Sequence, residues 1–170
     1  GRKLGYWFYT IIVSDYGLGV SGLELYQRTA HELRDLIVKK EIKAMEIAES
    51  VWKRIEQVEP RVHAFVTLAR EEAFRTAKQV DELVVKGEKL PPLAGIPVAV
   101  KDNMSTAGLK TTCSSKILEN YIPPYDATVI EQIRGQKMVL VGKTNMDEFA
   151  MGSSTENSGL FTTKNPWDTE

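Results

Sequence analysis

Near its middle the chain reads Pro91-Pro92-Leu93-Ala94-Gly95-Ile96-Pro97-Val98-Ala99-Val100-Lys101-Asp102-Asn103. Prolines and a glycine punctuate the first half of this stretch. A short apolar run follows, Val98 to Val100, and it ends abruptly in Lys101, Asp102 and Asn103. A Val-rich run bounded by breakers reads as a buried strand. Pro97 can occupy a first strand position, where its missing N–H costs little. Lys101 is therefore predicted at the carboxyl end of a strand, the end at which open α/β sheets bind ligands. Taken alone, a Lys-Asp pair there reads rather as the solvated start of a loop.

Working downstream, residues 104–118 lack periodicity and are rich in Ser and Thr, which predicts a loop with a short helix near Ser114 to Leu118. Asp126 is placed to N-cap a helix carrying Val129, Ile130 and Ile133, with Gly135 near its end. Met138 to Val141 reads as the next strand, followed by Gly142. Strand, helix, strand at this spacing predicts a βαβ unit with a parallel pair. Working upstream, Thr29 and Glu32 have capping-box spacing ahead of Leu33, Leu36 and Ile37. A second helix is expected from Ala44 to Val58, closed by Pro60, and a strand from Val62 to Leu68. A third helix is expected from Arg70 to Lys86, with a stripe of small residues (Ala69, Ala73, Ala77, Val80, Val84) and Gly87 as its C′ residue.

The 170 residues suffice for one domain with a real core, and 42% apolar with 26% charged residues is ordinary for a globular protein. A net charge of −1 presents no single-sign field for nucleic acid or an anionic membrane. Cys113 is the only cysteine, so no intrachain disulfide can form. Residues 6–13 form an aromatic, apolar run too short to span a membrane and better suited to a strand. Residues 14–22, rich in Gly and Ser, read as a linker. Residues 1–22 are accordingly set apart as a leader.

Several constellations fail on inspection. Gly142-Lys143-Thr144 lacks the glycine five residues earlier that a phosphate-cradling loop needs, since position 137 is Lys. His31-Glu32 has no second histidine at position 35, and His63, alone in the expected strand, reads as structural. Cys113 has no base beside it in sequence and reads as a small buried thiol or a loop residue. Gly152-Ser153-Ser154-Thr155 reads as a turn or cap, or else as a pocket wall supplying hydroxyls and backbone donors.

Four separated words occur in the order and spacing of one family. The segment Pro92 to Asn103 resembles the lysine motif of the amidase signature family. Thr111-Thr112-Cys113-Ser114-Ser115-Lys116-Ile117-Leu118, Asp126-Ala127-Thr128-Val129-Ile130, and Gly142 through Ser158 are similar to the branch that supplies ammonia for amidating Glu-tRNA(Gln) or Asp-tRNA(Asn). One local departure is Gln136-Lys137, where the family usually carries a glycine before the strand.

The resemblance implies an α/β fold, the N-terminal part of a mixed sheet covered by helices, with residues 23–170 belonging to one amidase-signature domain. It implies a Ser-cis-Ser-Lys triad in which a nucleophilic serine attacks an amide carbonyl. A second serine relays the proton to a neutral lysine, and Lys101 matches that lysine. Met151 and Ser153 match substrate-binding positions. The resemblance places both serines in a Gly/Ser-rich motif downstream of Asn165-Pro166-Trp167-Asp168. The chain is therefore expected to be a truncated piece that is inactive alone and marginally stable. Implied partners are the B and C subunits of a heterotrimer, with ATP and Mg²⁺ used by the B subunit and no cofactor or metal in this chain. Glutamine is the implied substrate and aminoacyl-tRNA reaches the complex. The implied location is the bacterial cytoplasm, or an organelle in a eukaryote. The alternatives are a stand-alone amidase acting on another small amide, and a non-catalytic piece that binds a partner.

Overall fold

The computed structural model describes residues 23–169. The aromatic run at residues 6–13 and the Gly/Ser-rich stretch at 14–22 lie outside the described residues. The fold is built on β3 (Val139–Thr144), whose six residues are all buried. It lies between β1 (Phe65–Leu68), antiparallel to it, and β2 (Pro97–Lys101), parallel to it. The expected parallel neighbours are thus found, with Pro97 at the first strand position. β3 runs farther than expected, through Gly142, Lys143 and Thr144. It does so because the polar side chains at its end find buried partners, described below.

Two β-bulges shape this sheet. Between β2 and β3, Val98 pairs with Leu140 but Ala99 pairs with Gly142, so Val141 is an extra residue in β3. Between β1 and β3, Phe65 pairs with Thr144 but Thr67 pairs with Lys143, so Val66 is an extra residue in β1. A bulge bends the strand and re-aims the side chains beyond it. Without the extra residue, Lys143 would share the face of Val139 and Val141. Instead it stands opposite Val100, on the face of Leu140. Gly142 sits where the strands come closest. A Cβ there would lie 2.5 Å from the Thr67 carbonyl oxygen and 2.8 Å from Phe65 Cδ1.

The two faces are covered differently. Val139, Val141 and Ala99 pack under α1 (Ala30–Val38), α2 (Ala44–Val62) and α3 (Arg70–Lys86), around Ile37, Ile47, Val51, Trp52, Ala77 and Val80. Leu140, Val100 and Val98 meet Ile130 and Ile133 of α4 (Thr128–Gly135), together with Met104 and Leu109 from the loop. The small residues of α3 let it sit close, and Ala73, Ala77 and Val80 are fully buried. Trp52 meets Phe74 edge to face at 6.2 Å, and the Arg70 guanidinium lies over both rings.

The helix ends follow their chemistry. Thr29 and Glu32 form the expected reciprocal capping box of α1. The Lys43 side chain has no oxygen to cap α2, and Asp81 of α3 accepts from the N–H groups of Ala44 and Met45 at 2.7 and 3.1 Å. Gly87 closes α3 in the left-handed conformation, as expected.

Four expectations are corrected. α2 does not stop at Pro60, because a proline in the last turn removes one N–H bond while buried Val62 still packs. β1 accordingly begins at Phe65, not Val62. His63 is in no strand: it caps α2 with φ 56° while its Nε2 lies 2.9 Å from the Pro60 carbonyl oxygen. Asp126 does not cap α4, whose N-cap is Ala127. It accepts instead from the Ala107 N–H and from Arg134 Nη1, tying the loop to the far end of the helix. At Gln136-Lys137 it is Lys137 that takes the left-handed turn, with φ 54°. β1 and β2 each leave one side without a neighbouring strand among the described residues. No described helix is long and apolar enough to cross a membrane.

Candidate active site

Lys101 ends β2 opposite Thr144, at the carboxyl end of the parallel pair. Its side chain is half-buried and makes no hydrogen bond or ion pair among the described residues. The chain turns directly after it: the Met104 N–H donates to the Lys101 carbonyl at 3.0 Å. Asp102, next in sequence, is fully buried and does not pair with Lys101. Its Oδ2 accepts from the Thr112 backbone N–H at 3.0 Å and from the Thr112 hydroxyl. Its Oδ1 faces Lys143 Nζ at 3.5 Å. The solvated Lys-Asp pair expected from sequence is therefore absent.

Lys143 is also fully buried. Its ammonium donates to the Met104 carbonyl at 2.8 Å and to Thr111 Oγ1 at 2.8 Å, and it faces Asp102 Oδ1 as its third partner. Burial holds this amine below the ordinary lysine range, and the Asp102 carboxylate offsets that only in part. With three acceptors around it, Lys143 is a committed donor. The two lysines at this sheet end thus differ: Lys143 is hydrogen-bonded and buried, whereas the Lys101 amine has no hydrogen-bond or ion-pair partner among the described residues. Reading the sequence missed Lys143, because outside a phosphate loop a Gly-Lys-Thr word carries no signal of burial. A strand prolonged by a bulge was the missing information.

Cys113 lies half-buried on the loop beside this cluster with φ 51°. Burial and the Asp102 carboxylate raise its thiol above the ordinary range, so it is no activated nucleophile. Ser114 is fully buried: its hydroxyl donates to Asn145 Oδ1 at 2.8 Å and accepts from the Met146 N–H at 3.1 Å. Asn145 in turn donates to the Phe161 carbonyl and Thr163 Oγ1, which binds the 158–163 segment to the end of β3. These serines and amides are engaged structurally. No serine hydroxyl among the described residues hydrogen-bonds Lys101.

The Gly152-Ser153-Ser154-Thr155 word is a turn wrapped on Asp147. The Asp147 carboxylate accepts from the N–H groups of Ser154, Thr155 and Asn157 at 2.9, 3.1 and 2.8 Å. Burial raises this carboxyl, but the three N–H bonds outweigh it and hold the group below the usual carboxylate range. Met151 is 80% exposed, and Ser153 is exposed as well. Neither side chain is joined to Lys101 by a hydrogen bond among the described residues.

The sequence profile of the amidase family matches residues 46–170. The chain is 60% identical over 148 residues to the A subunit of the glutamyl-tRNA(Gln) amidotransferase of Carboxydothermus hydrogenoformans, covering 87% of this chain and 30% of that protein. Among solved structures it resembles the A subunit of a glutamyl-tRNA(Gln) amidotransferase from Thermotoga maritima. That match has 35% identity and a TM-score of 0.56, over 91% of this chain and 29% of that one. A bacterial aryl acylamidase of the amidase signature family matches at 28% identity with a TM-score of 0.77, over 84% of this chain and 30% of that one. The chain spans about 30% of the length of the curated relatives it matches.

Proposed function

The chain belongs to the amidase family, and from that premise we propose that it is the lysine-bearing part of a glutamine-hydrolysing amidotransferase subunit. The observation that carries this reading is the 60% identity to the A subunit of a glutamyl-tRNA(Gln) amidotransferase. Supporting it, the family match includes Lys101, and Lys101 is the unengaged amine at the carboxyl end of the parallel pair.

In the proposed reaction Lys101 is the base. A nucleophilic serine forms a bond from Oγ to the side-chain carbonyl carbon of glutamine. Its proton passes to the relay serine, whose own proton passes to Lys101 Nζ. A base of this kind must be neutral, since an ammonium has no lone pair to accept with. Collapse of the tetrahedral intermediate breaks the C–N bond. The proton held by Lys101 returns through the relay to the leaving nitrogen, releasing ammonia. Water then cleaves the acyl-serine ester to give glutamate. Both serines are assigned by resemblance to a Gly/Ser-rich segment downstream of Asn165-Pro166-Trp167-Asp168. Met151 and Ser153 are proposed to meet glutamine once that segment is in place. The B and C subunits of a heterotrimer are the proposed partners, with ATP and Mg²⁺ acting in the B subunit to transfer the ammonia to Glu-tRNA(Gln) or Asp-tRNA(Asn). The proposed location is the cytoplasm of a bacterium, or an organelle in a eukaryote.

A stand-alone amidase is the second reading, favoured by the higher structural similarity to the aryl acylamidase. One comparison separates the two. The protein extended through the downstream serines is assayed for ammonia release from glutamine and for cleavage of a simple aryl amide. The first reading expects glutamine to be preferred, and no ammonia from the 170-residue chain above its Lys101→Ala control. Preference for the aryl amide refutes it in favour of the second.

A further inference from the structure

Asp102 is hydrogen-bonded through its N–H, its carbonyl and one of its two carboxylate oxygens. Its N–H donates to the Thr144 carbonyl at 3.1 Å, and its carbonyl accepts from the Cys113 N–H at 3.0 Å. Its Oδ2 is taken by Thr112 twice over. Only Oδ1 has no hydrogen bond, and it faces the Lys143 ammonium at 3.5 Å. On the other side of the same peptide, the Lys101 carbonyl accepts from the Met104 N–H. Met104 is itself held, because its own carbonyl accepts from Lys143 Nζ. Of the ties around the Lys101–Asp102 peptide, the Asp102 N–H leads to Thr144 on the strand of Lys143 and the Lys101 carbonyl leads through Met104 to Lys143, while Thr112 and Cys113 hold Asp102 separately.

This matters because the Lys101 side chain has no hydrogen bond of its own. Its backbone fixes the point from which that side chain leaves the strand. A reacting group misplaced by about 1 Å can lose about 10²-fold in rate. The bulge at Val141 places Lys143 on the face where it can reach Asp102, Met104 and Thr111 together. Gly142 permits that bulge by leaving room for the Thr67 carbonyl.

We propose that Lys143 is a positioning residue for the proton transfer assigned above to Lys101, an inference that rests on that assignment. Its ammonium clamps the Asp102 carboxylate and the 104–111 loop, so the Lys101–Asp102 peptide occupies one place. Lys143 does not itself accept the proton, since its amine already donates to Met104 and Thr111 and lies against the Asp102 carboxylate.

The test compares Lys143→Met, which removes the charge, with Thr111→Val, which removes one acceptor and leaves the charge. In the 170-residue chain, amide hydrogen exchange is read by NMR at Asp102 and Cys113, with Val139 and Val141 as references in the centre of the sheet. Exchange at Asp102 and Cys113 is expected to rise at least about tenfold in both variants while the references stay constant. In the protein extended through the serines, kcat for glutamine hydrolysis is expected to fall about 10–100-fold, with KM within about twofold. If Lys143→Met unfolds the chain, Thr111→Val decides. Unchanged exchange at Asp102 and Cys113 overturns the proposal, as does loosened exchange with kcat intact. A Lys101→Arg variant run alongside keeps the two claims apart: full turnover there refutes the base assignment and leaves the clamp to be judged by the exchange data.

Discussion

Gly142→Ala should destabilise this chain strongly for a reason that lies wholly in the crossing of two bulges. An added methyl would sit 2.5 Å from the Thr67 carbonyl oxygen and 2.8 Å from Phe65 Cδ1. The phenyl ring could swing away, but the carbonyl belongs to β1, held by the pairs Phe65–Thr144, Thr67–Lys143 and Leu68–Gly142. Relief therefore requires separating β1 from β3. Overpacking of this kind costs about 1–3 kcal/mol, and backbone resistance places this case near 3 kcal/mol. At about 2–4 °C per kcal/mol for a chain of this size, Tm should fall by about 6–12 °C. The assay is urea and thermal unfolding followed by fluorescence. Gly135→Ala is the matched control: it lies in α4 with nothing within 4 Å of the added methyl. Replacing a helical glycine there should stabilise by about 0.5–1 kcal/mol. Opposite signs for two Gly→Ala changes seven residues apart are expected. A Gly142→Ala chain within about 0.5 kcal/mol of wild type would refute the close-approach argument.

Two further changes test local chemistry. Thr29→Ala removes the hydroxyl that accepts from the Glu32 N–H and should cost about 1 kcal/mol, read as a Tm lowered by about 2–4 °C. Asp147→Asn should loosen the 152–157 turn, read as faster proteolysis within it. The sign with pH follows from the carboxyl lying below its ordinary value in the folded chain. Its stabilising contribution is full above the unfolded-state value of about 3.9 and is lost as pH falls through the lower folded-state value. Wild-type turn protection should therefore fall on acidification and converge on that of Asp147→Asn, and protection that instead rises on acidification would contradict this.

Much of the fold was legible because hydrophobic periodicity and breaker residues act locally. The capping box at Thr29 and the Gly87 end of α3 rest on interactions within a few residues, and each strand of the parallel pair headed by Pro97 was marked by its own apolar run and flanking breakers, although the pairing joins distant residues. Expectations failed where a distant partner decided. Pro60 ends no helix because Val62 is drawn into the core, and Asp126 is captured by Arg134 and Ala107 instead of its own helix. Asp81, on another helix, caps α2, which the Lys43 side chain cannot. In the site, the position of Lys101 at a strand end was legible, but its separation from Asp102 was not. That separation depends on Lys143, which reaches Asp102 only because of a bulge at Val141. Bulges arise from register between strands far apart in sequence, and no local pattern announced this one.

The central claim is that Lys101 accepts the proton in amide hydrolysis, and a charge-preserving substitution tests it most directly. Lys101→Arg keeps a cation of similar length, but guanidinium stays protonated across the working pH range. The measurement is glutamine hydrolysis against pH by the protein extended through its serines, for wild type, Lys101→Arg and Lys101→Ala, with folding confirmed by circular dichroism. Both variants should lose at least about 10²–10⁴-fold in turnover. Near-normal turnover by folded Lys101→Arg at any pH in the working range would contradict the claim.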